Sequence, residues 1–170
     1  MSMITLSRMC ESIENSTPTR KKEIISATLS SLSTSDRIAM IKILAMEYDN
    51  NNIGEKKAIK WLSNIYNVFE DEIEEEARKW LDLGEGMLNF LPYDNADNGL
   101  SLQQMLHLLE LDCSRMNSNA YEEIGRALTS MSNLQVKWFI RYWLRNPRNG
   151  VNSSMVGKSM SLLYGRDIST

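Results

Sequence analysis

Arg145 and Arg148 stand in a turn, Leu144-Arg145-Asn146-Pro147-Arg148-Asn149-Gly150-Val151-Asn152-Ser153-Ser154, in which every charge is basic. Guanidinium groups beside a fresh helix start are phosphate-binding chemistry. The first backbone N–H groups of a helix have no partner inside it, and the helix dipole is positive there. The apolar-periodic segment Gln135 to Leu144 predicts a buried helix ahead of the turn. Pro147 is expected to end that helix, because proline disfavours the α region for the residue before it. Gly150 can take the φ > 0 conformation that other residues avoid. Asn152 and Ser153 are good N-cap types for a helix from Ser154 to Tyr164. The candidate phosphate contacts here are Arg145, Arg148 and Lys158, with the polar groups of Asn149, Gly150, Asn152, Ser153 and Ser154. The competing reading is a solvated helix–helix turn carrying two arginines.

A second copy of the layout strengthens the phosphate reading. The segment Asn50-Asn51-Asn52-Ile53-Gly54-Glu55-Lys56-Lys57-Ala58-Ile59-Lys60-Trp61-Leu62-Ser63-Asn64-Ile65-Tyr66 aligns without a gap when Gly54 is set on Asn152, an offset of 98. Ile53 then meets Val151, Ala58 meets Val156, Leu62 meets Met160, Ile65 meets Leu163 and Tyr66 meets Tyr164. Upstream, Met40 meets Trp138, Ile41 meets Phe139 and Leu44 meets Tyr142, while Lys60 meets Lys158. Repetition at a fixed offset is the mark of a duplicated unit. Chance matching of two amphipathic helix pairs is the alternative. The second copy adds Asn52, Gly54, Lys56, Lys57 and Lys60 to the candidate contacts. A duplicated unit implies a pseudo-dyad, and duplex DNA has one too.

These residues carry a family resemblance. Ile53-Gly54-Glu55-Lys56, then Phe69-Glu70-Asp71-Glu72-Ile73-Glu74, then Trp80-Leu81-Asp82-Leu83-Gly84-Glu85 resemble the N-terminal DNA-binding domain of ATP-dependent DNA ligases. So do the stretch Arg145 to Val151 and the opening Leu6-Ser7-Arg8-Met9-Cys10-Glu11-Ser12-Ile13-Glu14 with Arg20-Lys21-Lys22-Glu23-Ile24-Ile25. The likeness runs over nearly the whole chain. It implies an all-helical domain that grips nicked duplex DNA through the minor groove, in replication, repair or recombination. Asn152 stands where the family tends to have glycine, and Glu55 sits beside the first turn, which makes the first turn the weaker grip. The family's adenylylation needs a lysine in a Lys-x-Asp-Gly setting, and no lysine here has one. ATP and magnesium are therefore expected only for catalytic domains that this sequence does not contain. The chain reads as a fragment of a ligase or as a free-standing relative, with the end after Asp167-Ile168 favouring a fragment.

The elements that must position these turns read as helices throughout. The chain has 170 residues and a net charge of −3, enough for one domain with a sizeable core. No apolar run approaches the ~20 residues of a membrane span. No signal-peptide core is present, since Ser7, Arg8 and Glu11 interrupt the start, so an intracellular protein is expected. Cys10 and Cys113 read as small buried apolar groups in a reducing compartment. Helices are expected over residues 4–14, from Pro18 through Leu32, from Arg37 to Tyr48, and on past Gly54. Another follows from Glu70 to Trp80, with more after Ser101, after Asn117-Ser118-Asn119 and after Ser132. The loop Pro92-Tyr93-Asp94-Asn95-Ala96-Asp97-Asn98-Gly99 divides two halves, lobes of about 1–91 and 100–170. About ten helices in two pseudo-symmetric lobes are predicted.

Charge is distributed unevenly. Residues 70–85 carry eight acidic and two basic side chains, −6 against −3 for the whole chain, so the remainder is at +3. That acidic segment reads as a solvated helix facing away from DNA, or as a dock for a protein partner. From Ile124 through Gly165 there is no acidic residue, while Arg126, Lys137, Arg141, Arg145, Arg148 and Lys158 all lie there. That basic half is the expected electrostatic footprint. Gly157-Lys158-Ser159 is not a phosphate-binding P-loop, because six residues separate it from Gly150 where four are needed and no strand precedes it. Tryptophans 61, 80, 138 and 143 are expected in the core, and His107 in the core or at its boundary. A helical protein-interaction module without a DNA role is the second functional reading.

Overall fold

A computed structural model describes residues 3–92, 94–115 and 118–164. Tyr93 of the dividing loop, Asn117 of the polar turn and the end at Asp167-Ile168 lie outside the described residues. Among the described residues ten α-helices follow one another: α1 (Met3–Ile13), α2 (Pro18–Ser30), α3 (Thr34–Leu44), α4 (Glu55–Tyr66), α5 (Glu70–Trp80), α6 (Leu83–Met87), α7 (Leu102–Glu110), α8 (Asn119–Ser130), α9 (Asn133–Trp143) and α10 (Ser153–Tyr164). A short 3-10 turn, Leu88–Phe90, follows α6. Among the described residues there is no β-strand, and the fold class is all-α as the sequence predicts.

The helix starts follow local side-chain chemistry. The Thr17 side chain accepts from the Arg20 N–H, with Pro18 as the first helical residue. Ser33 accepts from the Asp36 N–H. Ser101 with Gln104 and Ser132 with Gln135 form capping boxes, in which each side chain satisfies the other residue's free backbone N–H. The helix ends depart from expectation. α3 stops at Leu44 rather than Tyr48, because Met46 takes a left-handed backbone, φ 55°. α9 stops at Trp143 in the same way, with Arg145 at φ 56°, two residues before Pro147 can act. A left-handed residue after the last turn lets the next N–H groups return to the helix carbonyls. The bonds from Glu47 N–H to Lys42 O and from Asn146 N–H to Arg141 O are that return, made once in each copy.

α9 is the axis of the core. Every residue from Gln135 to Trp143 is buried, so the helix is enclosed on all sides rather than lying on a surface. α1, α6 and α7 pack against it. Trp61 of α4 meets the Trp143 ring at 5.9 Å between centroids and Tyr121 of α8 edge-on at 5.2 Å. Gly84 lets α6 approach closely, since a Cβ there would lie 2.7 Å from the Lys137 carbonyl oxygen.

Two of the expected footprint cations are inside this core. Lys137 and Arg141 are each 5 % exposed. Lys137 Nζ lies 3.0 Å from Glu11 and 3.0 Å from Glu85, and 3.7 Å from Glu14. Arg141 pairs with Asp82 at 2.6 Å and with Glu14 at 2.7 Å. Lys137 and Arg141 therefore contribute nothing to a surface field, because charges taken out of water survive only when paired. Asp82 and Glu85, assigned from sequence to a solvated acidic stretch, turn inward to serve them. Trp80 is 48 % exposed rather than core. His107 is exposed too, its Nε2 3.1 Å from Glu123.

The element order keeps the 98-residue offset at one point. Four helices, α1 to α4, are followed after an interval by four more, α7 to α10, with α4 and α10 starting 98 residues apart, at Glu55 and Ser153. α5, α6 and the dividing loop are inserted between the two sets. Packing runs across the sets: α1 lies on α9, α3 on α7, α2 on α10 and α4 on α8. The halves are thus interlocked rather than merely adjacent.

Candidate nucleic-acid interface

The two repeated turns are built on two buried asparagines. Asn51 Oδ1 accepts from the Ile53 N–H and Asn149 Oδ1 from the Val151 N–H, the same bond at an offset of 98. Asn51 Nδ2 donates to the carbonyls of Leu109 and Trp143, each at 3.1 Å. Asn149 Nδ2 donates to the Tyr142 hydroxyl at 3.0 Å. A buried amide that satisfies local backbone fixes a turn without a cofactor or disulfide. Asn149 therefore shapes its turn from within and presents no side chain outward. Asn51 was missed by the sequence reading, although its alignment with Asn149 was available as a signal.

The turns also hold each other. Arg145 Nη2 donates to the carbonyls of Asp49 at 2.6 Å and Tyr48 at 2.9 Å, and Nη1 donates to Met46 at 3.3 Å. Its guanidinium carbon sits 4.5 Å from the Tyr48 ring centroid. In return the Tyr48 hydroxyl donates to the Tyr142 carbonyl at 2.5 Å. Burial pushes the Tyr142 hydroxyl well above its ordinary value, so it stays a neutral hydrogen-bonding group. The Arg145 head is occupied by the first turn, and its role is to join the two copies.

Two lysines do similar work. Lys57 Nζ donates to the carbonyls of Asn52 at 3.0 Å and Cys113 at 3.2 Å. Lys21 Nζ donates to the Asn149 carbonyl at 2.5 Å. Gly150 has φ 72°, a backbone conformation that favours glycine, and a Cβ there would meet that Lys21 Nζ at 2.7 Å and push the lysine tip aside. Asn52 occupies the equivalent left-handed position in the first turn, φ 57°. Asparagine tolerates it better than most residues.

The remaining candidates face solvent. Lys56, Lys60, Lys158, Ser153 and Ser154 are exposed. Lys60 and Lys158 are each the sixth residue of their helix, α4 and α10. Gly54 precedes α4 without a side-chain cap, leaving that helix start open. Asn152 Oδ1 instead accepts from the Met155 N–H at 3.0 Å and partly fills the start of α10.

A third element joins the turns. Arg148 Nη1 donates to the Leu81 carbonyl, just past α5. Leu81 lines one groove with Lys56, Ile59 and Arg78, and a second with Gly54, Leu144 and Asn146. The acidic helix therefore brings its basic C-terminal end, Arg78 and Lys79, toward the turns. The acidic residues Glu70, Asp71 and Glu72 occupy its first turn, where the dipole favours them. Glu55 and Glu74 also line the first groove, so the field there is mixed.

A family model described as the DNA ligase N terminus matches residues 2–161. The chain belongs to that family. No curated protein matches it. In this DNA ligase N-terminal chain the matched stretch contains both turns, all the exposed lysines named above, and the Arg145 clasp. No helix among the described residues is long and apolar enough to cross a membrane. Among the described residues no group of three His, Cys, Asp or Glu side chains is arranged to hold a metal ion.

Proposed function

We propose that this chain binds duplex DNA without reading its sequence, at nicks and from the minor-groove side, in support of strand joining. Membership of the DNA ligase N-terminus family is the observation that carries the reading. Residues 1–170 act in it as one domain with an approximate internal two-fold axis, lobes of about 1–91 and 100–170 meeting through the interlocked helices. Lys56 and Lys60 of one copy, and Arg148 and Lys158 of the other, contact phosphates, together with backbone groups near Gly54, Gly150, Asn152, Ser153 and Ser154. Arg145, Asn149, Asn52 and Lys57 hold the turns that present them. Such contacts position a protein but carry no sequence information. Strand joining in replication, repair or recombination, with its ATP and magnesium, belongs to a ligase's catalytic domains. The protein works inside the cell, where the DNA is.

The test is equilibrium binding of a fluorescein-labelled nicked duplex at low salt. Sequence-independent binding is expected with Kd on the order of 10⁻⁶–10⁻⁴ M at physiological salt, and tighter at low salt. No binding at tens of micromolar protein in low salt would remove the reading. It would leave the second one, a helical module that docks a protein partner on the acidic 70–85 segment. The feature favouring that alternative is Phe69, 77 % exposed at the head of acidic α5.

A further inference from the structure

Leu81 is out of place as a structural residue. It is 74 % exposed and has a left-handed backbone, φ 53°. That conformation is costly for a residue with a Cβ, and helix-ending positions of this kind usually carry glycine or asparagine. Asn67 serves that purpose at the end of α4. Met46 and Arg145 share the conformation but are half-buried, and the Arg145 side chain is hydrogen-bonded across the turns. The backbone of Leu81 is held from several sides: its N–H reaches the Arg78 carbonyl, its carbonyl accepts from Arg148, and the next residue, Asp82, caps α6 and pairs with Arg141. Such strain persists only where the surroundings over-determine it, and it gathers at functional sites. Here the surroundings fix a large apolar side chain in water, between Lys56 and Arg78 on one side and Gly54, Leu144 and Asn146 on the other.

We propose that Leu81 is an apolar DNA contact, a side chain that rests on the sugars or wedges at a base step between the phosphates held by the two turns. The inference rests on the duplex-binding reading above. The position suits DNA because both candidate phosphate turns flank it, and because Lys56, Arg78 and Arg148 lie beside it and outnumber the acidic Glu55 and Glu74 of the same groove. Proteins that bind nucleic acid through its backbone use inserted leucines in this way, gaining apolar contact where cations alone slide. A nick is where such a contact gains most, since one strand is already free to move.

The experiment compares the whole chain with Leu81→Asn and Leu81→Met, using the labelled nicked duplex and the same duplex sealed, over a range of salt. Asparagine accepts the left-handed backbone, so the melting temperature of Leu81→Asn is expected to hold or rise. Its affinity for nicked duplex is expected to fall roughly tenfold, the scale of part-burying a leucine. The loss should be the same at every salt concentration, because no counterion is released by an apolar contact. Leu81→Met should stay within about twofold of wild type, as a side chain of similar apolar size. The loss should be smaller on the sealed duplex. Wild-type binding with unchanged affinity in Leu81→Asn would overturn the inference while leaving the duplex-binding reading intact. A loss accompanied by a flatter salt dependence would also overturn it, since Arg148, not Leu81, would then be the lost contact. Absence of wild-type binding would remove the duplex-binding reading itself.

Discussion

Arg145 and Lys158 look alike in sequence, two cations near a helix start, and the structure gives them opposite work. Arg145 fills three carbonyls of the other turn. Arg145→Ala should destabilise the domain by about 1.5–3 kcal/mol, the usual worth of hydrogen bonds to a charged donor, read as a lower urea midpoint at constant slope. Lys158→Ala, at an exposed site, should stay within about 0.5 kcal/mol of wild type. Equal effects would mean that the clasp has no energetic weight. Cys10 gives a second residue-scale prediction. Burial pushes its thiol up from 9.0 to about 12, against the smaller opposing effects of Tyr142, Asn149 and Arg141. A folded value above the unfolded one means the unfolded chain loses its proton first. Stability should therefore be intact below pH 9 and fall as pH rises toward 12, by about 1.4 kcal/mol per pH unit from this one group. Cys10→Ala should remove that increment from the alkaline slope in denaturant titrations, whatever the substitution does to stability at pH 7.

At the scale of elements, α6 is too short to hold itself. Five residues, Leu83–Met87, stay helical because Asp82 caps them and packing confines them between α5 and α9. The same Asp82 receives Arg141 through Nε and Nη2, and Arg141 reaches across to Glu14, just past the end of α1. Burial pulls both buried cations downward, but the hydrogen bonds of Asp82 and Glu14 on Arg141, and of Glu85 and Glu11 on Lys137, outweigh it and leave both raised. Removing one side of this network strands the other. Arg141→Ala should cost about 3–5 kcal/mol by chemical denaturation, because Asp82 is left buried without its partner. Arg141→Ala combined with Asp82→Asn should recover part of that loss. A double variant no better than the single would show that lost packing, not the stranded carboxylate, dominates.

At the scale of the whole molecule, net charge says little about where DNA would lie. The protein is acidic overall, two C-terminal-half cations are buried, and α5 is polarised along its length. Binding through phosphates makes log K fall with log[salt] by about 0.9 per contact on duplex DNA. Changing Lys56, Lys60 and Lys158 together to alanine should flatten that slope by roughly 2 to 3 units, for any duplex sequence. Changing Glu72, Glu75 and Glu76 to alanine shifts net charge equally in the opposite direction and should leave the slope nearly intact. Mirror-image changes in slope would mean that total charge governs binding, and the assignment of these lysines would fall.

The sequence by itself determined the helices other than α6 and most of their starts, because those depend on contacts within a few residues. Thr17-Pro18, Ser101 and Ser132 announce helix starts that the structure keeps, while Ser33 caps α3 at Thr34, three residues ahead of the expected Arg37. The 98-residue offset was legible for the same reason, since equal turns need equal local residues. Family membership was legible too, in the order of short motifs spread over the chain. The tertiary structure decided everything that depends on who faces whom. Lys137 and Arg141 look like surface cations until α1 and α6 bring four carboxylates to them. Arg145 looks like a phosphate ligand until the first turn's carbonyls, almost a hundred residues upstream, close on it. Trp80 has core chemistry, yet it lies half exposed at the end of α5, where Ala77 rather than the tryptophan turns inward. Leu81 lies within a family-like stretch, Trp80 to Glu85, but nothing in that stretch marks it as a contact residue. Its exposure, its left-handed backbone and its place between the two turns arise only when α5, α4 and the stretch after α9 meet. Charge and hydrophobicity are properties of residues, but burial and pairing are properties of the fold.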